Sequence, residues 1–491
     1  MDKNQVTRRT FVKQSASIAL GSASILSGIP LSILNENPAV FQAIGTRVGE
    51  VTENSALVWT RLTANKERNN GGIKIKGRAQ DYKGKGLPKV TVPVEQLEGA
   101  CGGKTGFARL RYATNEKMTH AQTTDWVKVS EKTDFIHQFY LSGLKPSTKY
   151  YYICESAIQT NKQISTSWRG QFETAPTAQA ASNLRFCLMT CQGYPDRGHK
   201  DGHDIYPSML ALKPQFACLT GDLVYYDNDM PRAVNERLAR YHWERMFSLP
   251  RLKAFNSNVA TYWLKDDHDT LDNDSSPGGT MGELTFAQGQ KIFHQQAPMT
   301  TGASYRTFRW GKDLQIWLTE GRDERSPNDM PDGPEKTIWG KTQKGWFKKT
   351  VKESDATWKI LISPTPLVGP DRVQKDDNHS NAGFQHEGDE LRQWIHDNVP
   401  ENFFVICGDR HWQYHSVHPK TGVHEFSIGA ASDEHAGGTP GENKAYHRFH
   451  LVKGGFISVE LRRESDKSVI LLQHHDVHGA VVYKWQKERL V

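Results

Sequence analysis

The chain has 491 residues, 37% of them hydrophobic and 24% charged, with 13 Trp. That length exceeds one ordinary hydrophobic core and predicts two packed domains, and the composition excludes a disordered or fibrous chain. The net charge of +7, from 62 Lys and Arg against 55 Asp and Glu, is a mild excess without interleaved aromatics or an RNA-binding signature, so no nucleic-acid partner is predicted.

The first segment is "TRRTFVKQS", with Arg8-Arg9 ahead of Phe11, followed by "ASIALGSASILSGIPLSIL". A charged start and a mildly apolar run containing Gly, Ser and Pro make a poor membrane span but follow the order of an export signal. The Thr-Arg-Arg-x-Phe-x-Lys pattern predicts a twin-arginine signal peptide over 1–38. It implies the twin-arginine translocation machinery as a partner, a periplasmic or secreted location and no stable membrane span. Substrates of that route cross the membrane folded, which anticipates a metal acquired before export.

From Phe41 to Glu173 the pattern is one of strands. "RVGEVTENSALVWTRL" alternates and turns at Glu53-Asn54-Ser55, and "DFIHQFYLSGLKPSTKYYYICES" gives two strands around a Gly-Leu-Lys-Pro-Ser turn. A β-sandwich is expected over 39–176. The Lys-rich stretch near 66–104, with "KIKGR" and "KGKG", reads as a solvated basic insertion, and "ETAPTAQAASN", Glu173 to Asn183, reads as a linker. The six cysteines are Cys101, Cys154, Cys187, Cys191, Cys218 and Cys407. Several lie in apolar runs, where a buried free thiol is the default, although an exported chain permits disulfides. The spacing of Cys187 and Cys191 places both on one face of a strand.

Beyond Leu184 the periodicity changes. "LRFCLMT" is a strand, "DIYPSMLALKP" a helix that stops at Lys213-Pro214, and "QFACLTGD" a second strand, which together predict a β-α-β unit with a parallel pair. "KTQKGWFKKTVKES" and "DELRQWIHDN" read as helices, and "WKILIS" and "FFVICGDRH" as strands. A layered α/β domain is expected over 184–491, with function beyond the carboxyl ends of its strands.

Those ends carry metal-ligand side chains: Cys191, then Asp222 with Tyr225, then Asp266-Asp267-His268-Asp269, then Asp409 and His411. Each has a bland reading alone: Cys191 a packed thiol, Tyr225 a core wall, Asp222 a turn cap, "DDHD" an acidic turn or helix start. Together, at strand ends of one α/β half, they predict a metal site. A parallel sheet would bring the tips onto one rim, where Asp222 can bridge two cations through its two oxygens. Two cations about 3.5–4 Å apart can clamp a phosphate and activate water.

The ordered set "TCQ", "TGDLVYYD", "DDHD" and "GDRHW" resembles the alkaline phosphatase D (PhoD-like) family of metallophosphoesterases, and "VGEVTENSALVWTRL" resembles its N-terminal sandwich domain. The resemblance covers nearly all of the chain after the signal, apart from the insertion. It implies a metallophosphoesterase-type sheet-and-helix domain behind a small β-sandwich, and hydrolysis of phosphate monoesters or diesters. It also implies Fe(III) held by Cys191, Asp222, Tyr225 and Asp409, with one or two divalent ions, calcium in the family, bridged by Asp222 and bound by Asp267 and His411. His268 would be the catalytic group near the phosphate, and Arg322 and Arg325 in "TEGRDER" would bind substrate oxygens. Three departures leave the substrate and the second metal open. Lys265 stands where the family has Trp, Glu320 where it has Asp, and "ISPTPLVGPD" offers no histidine. Asn273 or Asp274 is a possible further ligand. The alternatives are a phospholipase-type phosphodiesterase and a non-catalytic envelope binding protein; intact Asp222, His268, Asp409 and His411 argue against the latter.

Overall fold

The strand Phe216–Thr220 is buried along its whole length because it is covered on both faces. It pairs in parallel with Leu184–Met189 on one side and Ala260–Leu264 on the other. The helix Ile205–Ala211 makes the crossover between the first two strands and ends just before Lys213-Pro214, as its apolar spacing predicts. The computed structural model describes residues 39–161 and 163–491; the expected signal over 1–38 lies outside them.

These three strands sit inside a nine-stranded sheet. On one side it continues into Phe456–Glu464, Lys467–His475 and Val481–Leu490. On the other side it continues into Thr46–Gly49, Ser55–Arg61 and Ile136–Ser142. A second, seven-stranded sheet has the parallel strands Leu314–Leu318, Trp358–Ser363 and Phe403–Cys407. Alternation assigns the layers. Phe216 and Cys218 share a core with Ile316, Ile360 and Ile406 of the second sheet, whereas Ala217 and Leu219 pack with Met209, Trp243 and Phe255 from three helices. The far face of the second sheet packs through Trp317, Leu361 and Val405 onto the helices Gly340–Glu353 and Gln385–Asn398. The result is helix, sheet, sheet, helix.

The N-terminal strands do not stand apart. Gly106–Ala113, Gln122–Thr123, Val127–Val129, Lys149–Ala157 and Thr166–Glu173 form a five-stranded sheet. The partner layer of the expected sandwich is the end of the nine-stranded sheet itself, joined by the parallel pairs Val48↔Ala260 and Gly49↔Thr261. The expected linker is docked as well: the Ala175 amide donates to the Thr52 carbonyl at 3.1 Å and the Lys312 amide to the Ala180 carbonyl at 2.8 Å. Ala39–Val491 accordingly forms one compact unit. No helix among the described residues is long and apolar enough to cross a membrane. All six cysteines are buried and free.

The insertion departs from its expected character as a solvated excursion. Val94, Leu97, Ala100 and Cys101 enter the helix-side core, and the Ala79 amide donates to the Asn228 carbonyl at 2.7 Å. A buried carboxylate holds its far end. Glu244 accepts from Arg61 at 3.2 Å, Arg237 at 2.9 Å and the Cys101 amide at 2.8 Å. Arg61 and Glu244 are only 2% and 1% exposed. Removing one partner leaves an uncompensated buried charge, so Glu244→Ala is expected to cost about 3–5 kcal/mol in denaturant unfolding. Glu353→Ala, which breaks an exposed pair with Lys349, should cost no more than about 0.5 kcal/mol. Equal costs for the two would contradict this account of the insertion's anchorage.

Candidate active site

Cys191, Asp222 and Asp267 follow three neighbouring strands of the nine-stranded sheet, so their convergence follows from pairing order. Asp409 and His411 follow Phe403–Cys407, which belongs to the other sheet. The single rim expected from sequence is therefore two carboxyl edges meeting face to face. Gly408 shows how close they come: a Cβ there would lie 2.7 Å from the Thr220 carbonyl oxygen and 2.8 Å from the Pro364 carbonyl oxygen and Thr190 Oγ1.

Three tip residues leave their strands in the left-handed region, Cys191 with φ 50°, Asp222 with φ 56° and Asp409 with φ 62°. Side-chain-bearing residues adopt it at a cost, and such outliers gather at functional positions. This turn also corrects the expected shared face of Cys187 and Cys191. Cys187 lies within a strand and joins the helix-side core, whereas Cys191 lies beyond the strand end and turns into the site.

Asp222 is common to two groups of ligand atoms. One contains Cys191, Asp222 and His411, the other Asp222, Asp267 and His268, with the atoms of each group within 4.8 Å of one another. His411 thus sits on the Cys191 side rather than beside Asp267. Asp222 Oδ2 accepts from the Tyr225 hydroxyl at 3.1 Å and from Cys191 Sγ at 3.5 Å. Its Oδ1 is buried with no hydrogen-bond partner. A buried carboxylate oxygen without a donor is costly, and a cation is the partner that this donor set suits. Burial pushes the Asp222 carboxyl, the Cys191 thiol and the Tyr225 phenol well above their ordinary ranges, and neighbouring acidic groups push them further. Positive charge at this point reverses those shifts. Burial likewise lifts Asp409 to about 6, against the pull of Arg410, which donates to it at 2.9 Å.

His268 is held by a residue that sequence reasoning passed over. Its Nδ1 lies 2.7 Å from Asp227 Oδ1, which leaves Nε2 as the nitrogen available to a ligand. Burial alone would depress this imidazole, but Asp227 and then Asp267 raise it well above the ordinary histidine value. The Tyr225 ring packs on it with centroids 4.4 Å apart. His435 was also missed. Its Nε2 lies 3.0 Å from the Tyr225 hydroxyl and its Nδ1 2.8 Å from Asp196. Arg78, from the insertion, contacts the same Asp196 and His435.

The two arginines expected to meet substrate lie elsewhere. Arg322 is 1% exposed and pairs with Asp266 at 2.5 Å and Asp267 at 3.5 Å, behind the tips. It counters the burial of Asp267 and, with His268, holds that carboxyl well below the carboxylate range. Arg325 donates to the Asp377 carbonyl at 2.8 Å and lies over the Phe384 ring. Neither lines the cleft, which has a volume of about 600 Å³ and takes its cations from Arg78, Arg232, Arg372, Lys375 and Arg410. Asn273 lines it too, whereas Asp274 does not. Two of the departures noted in the sequence are partners: Lys265 forms a buried ion pair with Glu320, and lies 2.6 Å from Asp323.

Residues 186–454 match the PhoD-like phosphatase family, and residues 35–176 match the PhoD-like phosphatase N-terminal domain. Alkaline phosphatase D of Bacillus subtilis (strain 168) is 21% identical over 465 residues, covering 83% of this chain and 72% of that protein. The solved structure of PhoD superposes with a TM-score of 0.68 at 16% identity, over 91% of this chain and 90% of that one. The purple acid phosphatase PPD1 of yellow lupin superposes with a TM-score of 0.59 at 13% identity, over 90% and 73% of the two chains. These superpositions show a shared fold.

The close approach at Gly408 yields a paired prediction. Gly408→Ala should destabilise by about 1–3 kcal/mol, because the added carbon meets backbone on facing strands. Gly345→Ala, inside the helix Gly340–Glu353 with open space around it, should stabilise by about 0.5–1 kcal/mol. Thermal unfolding of both variants checks this; a neutral Gly408→Ala would mean that the two edges do not meet so tightly.

Proposed function

This chain belongs to the PhoD-like phosphatase family and is a phosphoric ester hydrolase, and from that premise we propose an exported, metal-dependent enzyme that hydrolyses phosphate monoesters or diesters. The observation that carries the metal dependence is Asp222, a buried carboxylate shared by two ligand groups with one oxygen unpartnered. Cys191, Asp222, Tyr225 and Asp409 would hold Fe(III), with His411 beside them. Asp222 and Asp267 would hold a divalent ion, calcium by resemblance. When bound, the cations supply charge for the phosphoryl oxygens and acidify the attacking water.

The protein's own groups do the rest. Arg372, Lys375 and Arg410 line the cleft and orient the phosphate through charge-assisted hydrogen bonds. Asp227 fixes the tautomer of His268 and raises its proton affinity, so that Nε2 holds a proton for the departing alkoxide. The Tyr225 ring keeps the imidazole from swinging away.

The sign of the pH effect follows. A general acid works while protonated, so activity falls as pH rises through its pKa. Asp227→Asn removes the charge that raises His268, and the alkaline limb of kcat/KM should move down by about 1–3 pH units. His268→Ala should keep its metals and slow turnover by about 100- to 10,000-fold. An alkaline limb that stays in place in Asp227→Asn would dismiss His268 as the acid, and metal loss in His268→Ala would recast it as a ligand.

Export rests on Arg8-Arg9 and Phe11 and on recognition by the twin-arginine machinery. Replacing both arginines with Lys should leave the protein in the cytoplasm of its host. Normal periplasmic levels of that variant, measured by fractionation, would refute the route.

A further inference from the structure

A second cavity adjoins the catalytic cleft. It has a volume of about 780 Å³, and its apolar lining includes Leu87, Val90, Val92, Pro231, Val234 and Leu238. One wall comes from the insertion, the segment that the family resemblance does not cover. Val90 and Val92 are half-buried against the helix-side core. Leu87 and Val234 are 38% and 39% exposed, large apolar groups left open on the surface of a chain whose other aliphatic residues are mostly covered.

Arg232 lines both cavities. Its charge is uncommitted in a way that the other cleft cations are not. Arg410 pairs with Asp371 at 2.8 Å, Lys375 with Asp377 at 2.5 Å, and Arg372 with Asp371 at 3.3 Å. Arg232 has no ion pair among the described residues. It contacts Met281 Sδ at 3.0 Å, and its Nε is buried without a partner. A free guanidinium therefore stands where a polar cleft opens into an apolar groove.

We propose that this groove holds an alkyl chain carried by one arm of the phosphate ester, so that amphiphilic phosphodiesters are preferred substrates. The proposal rests on the phosphoesterase reading of the cleft. The anionic phosphate is drawn to the metal site and to Arg232 by charge complementarity. The chain then runs from Arg232 between the insertion and Val234, leaving water for apolar wall. The occupant is the substrate's own chain because the groove is continuous with the cleft through the one cation that touches both.

The test is a series of p-nitrophenyl alkyl phosphodiesters, from methyl to dodecyl, assayed with the full chain below micelle-forming concentrations. kcat/KM should climb with chain length, by up to about fourfold per methylene while the groove fills. Leu87→Asp and the milder Val234→Ser should flatten the climb and leave the methyl ester unchanged, with folding checked by circular dichroism. A flat series in the unmutated protein, with the methyl ester turned over, overturns the groove assignment and leaves the phosphoesterase reading standing. Failure to hydrolyse any member, and p-nitrophenyl phosphate as well, overturns both. A flat series together with a dimer that Leu87→Asp converts to monomer assigns the groove to a second copy of the chain and likewise overturns the proposal.

Discussion

Cys191, Asp222, Tyr225 and Asp267 bring four acidic groups into a space withdrawn from water, where charge repulsion is weakly screened. Burial works against ionising most of them, and one Asp222 oxygen has no donor at all. A fold does not assemble such a cluster for stability; it is a place for positive charge. Much of the architecture serves to tolerate it. Glycines at 221 and 408 let strand tips approach within contact of one another, and left-handed turns at three tip residues aim the side chains inward. Local backbone strain is accepted there because two large packed sheets hold the tips in place.

Around this cluster lies a shell of compensating pairs. Arg322 neutralises the back of Asp266 and Asp267, Arg410 and Lys375 serve the Asp409 side, and Asp227 sets the proton affinity of His268. Lys265 and Glu320 belong to that shell as a unit. Each departs from the family's pattern, but the two meet in a buried ion pair, so changing one alone would strand the other. The coupling explains how both departures can coexist with an intact set of tip residues.

Much of this was legible in the sequence, and the failures are instructive. Unbroken apolar runs ending in Gly-Asp marked the central strands, because a strand covered on both faces has no polar alternation and its end must turn sharply. The helix Ile205–Ala211 was legible from spacing and from the proline that follows it. What periodicity does not encode is which sheet a strand joins. The parallel strands ending at Cys407 read like those ending at Thr220, yet they belong to another layer. Asp227 and His435 lie on irregular loops, where no repeat predicts direction; Asp227 closes the quoted "TGDLVYYD" and still gave no signal of its own. Arg322 and Arg325 looked like substrate ligands because adjacency in a motif does not reveal which way a guanidinium points. The insertion looked solvated because its lysines outnumber its valines, although Val90, Val92 and Val94 repeat at the strand period and cover a core edge.

The most direct test of the central claim is crystallographic anomalous scattering, recorded above and below the iron absorption edge on protein purified from its native host. The account predicts an iron-specific peak within bonding distance of Cys191, Asp222 and Tyr225, and a second, non-iron density on the Asp267 side of Asp222. A fully ordered site with solvent alone between these side chains, or iron bound away from Asp222, would contradict it.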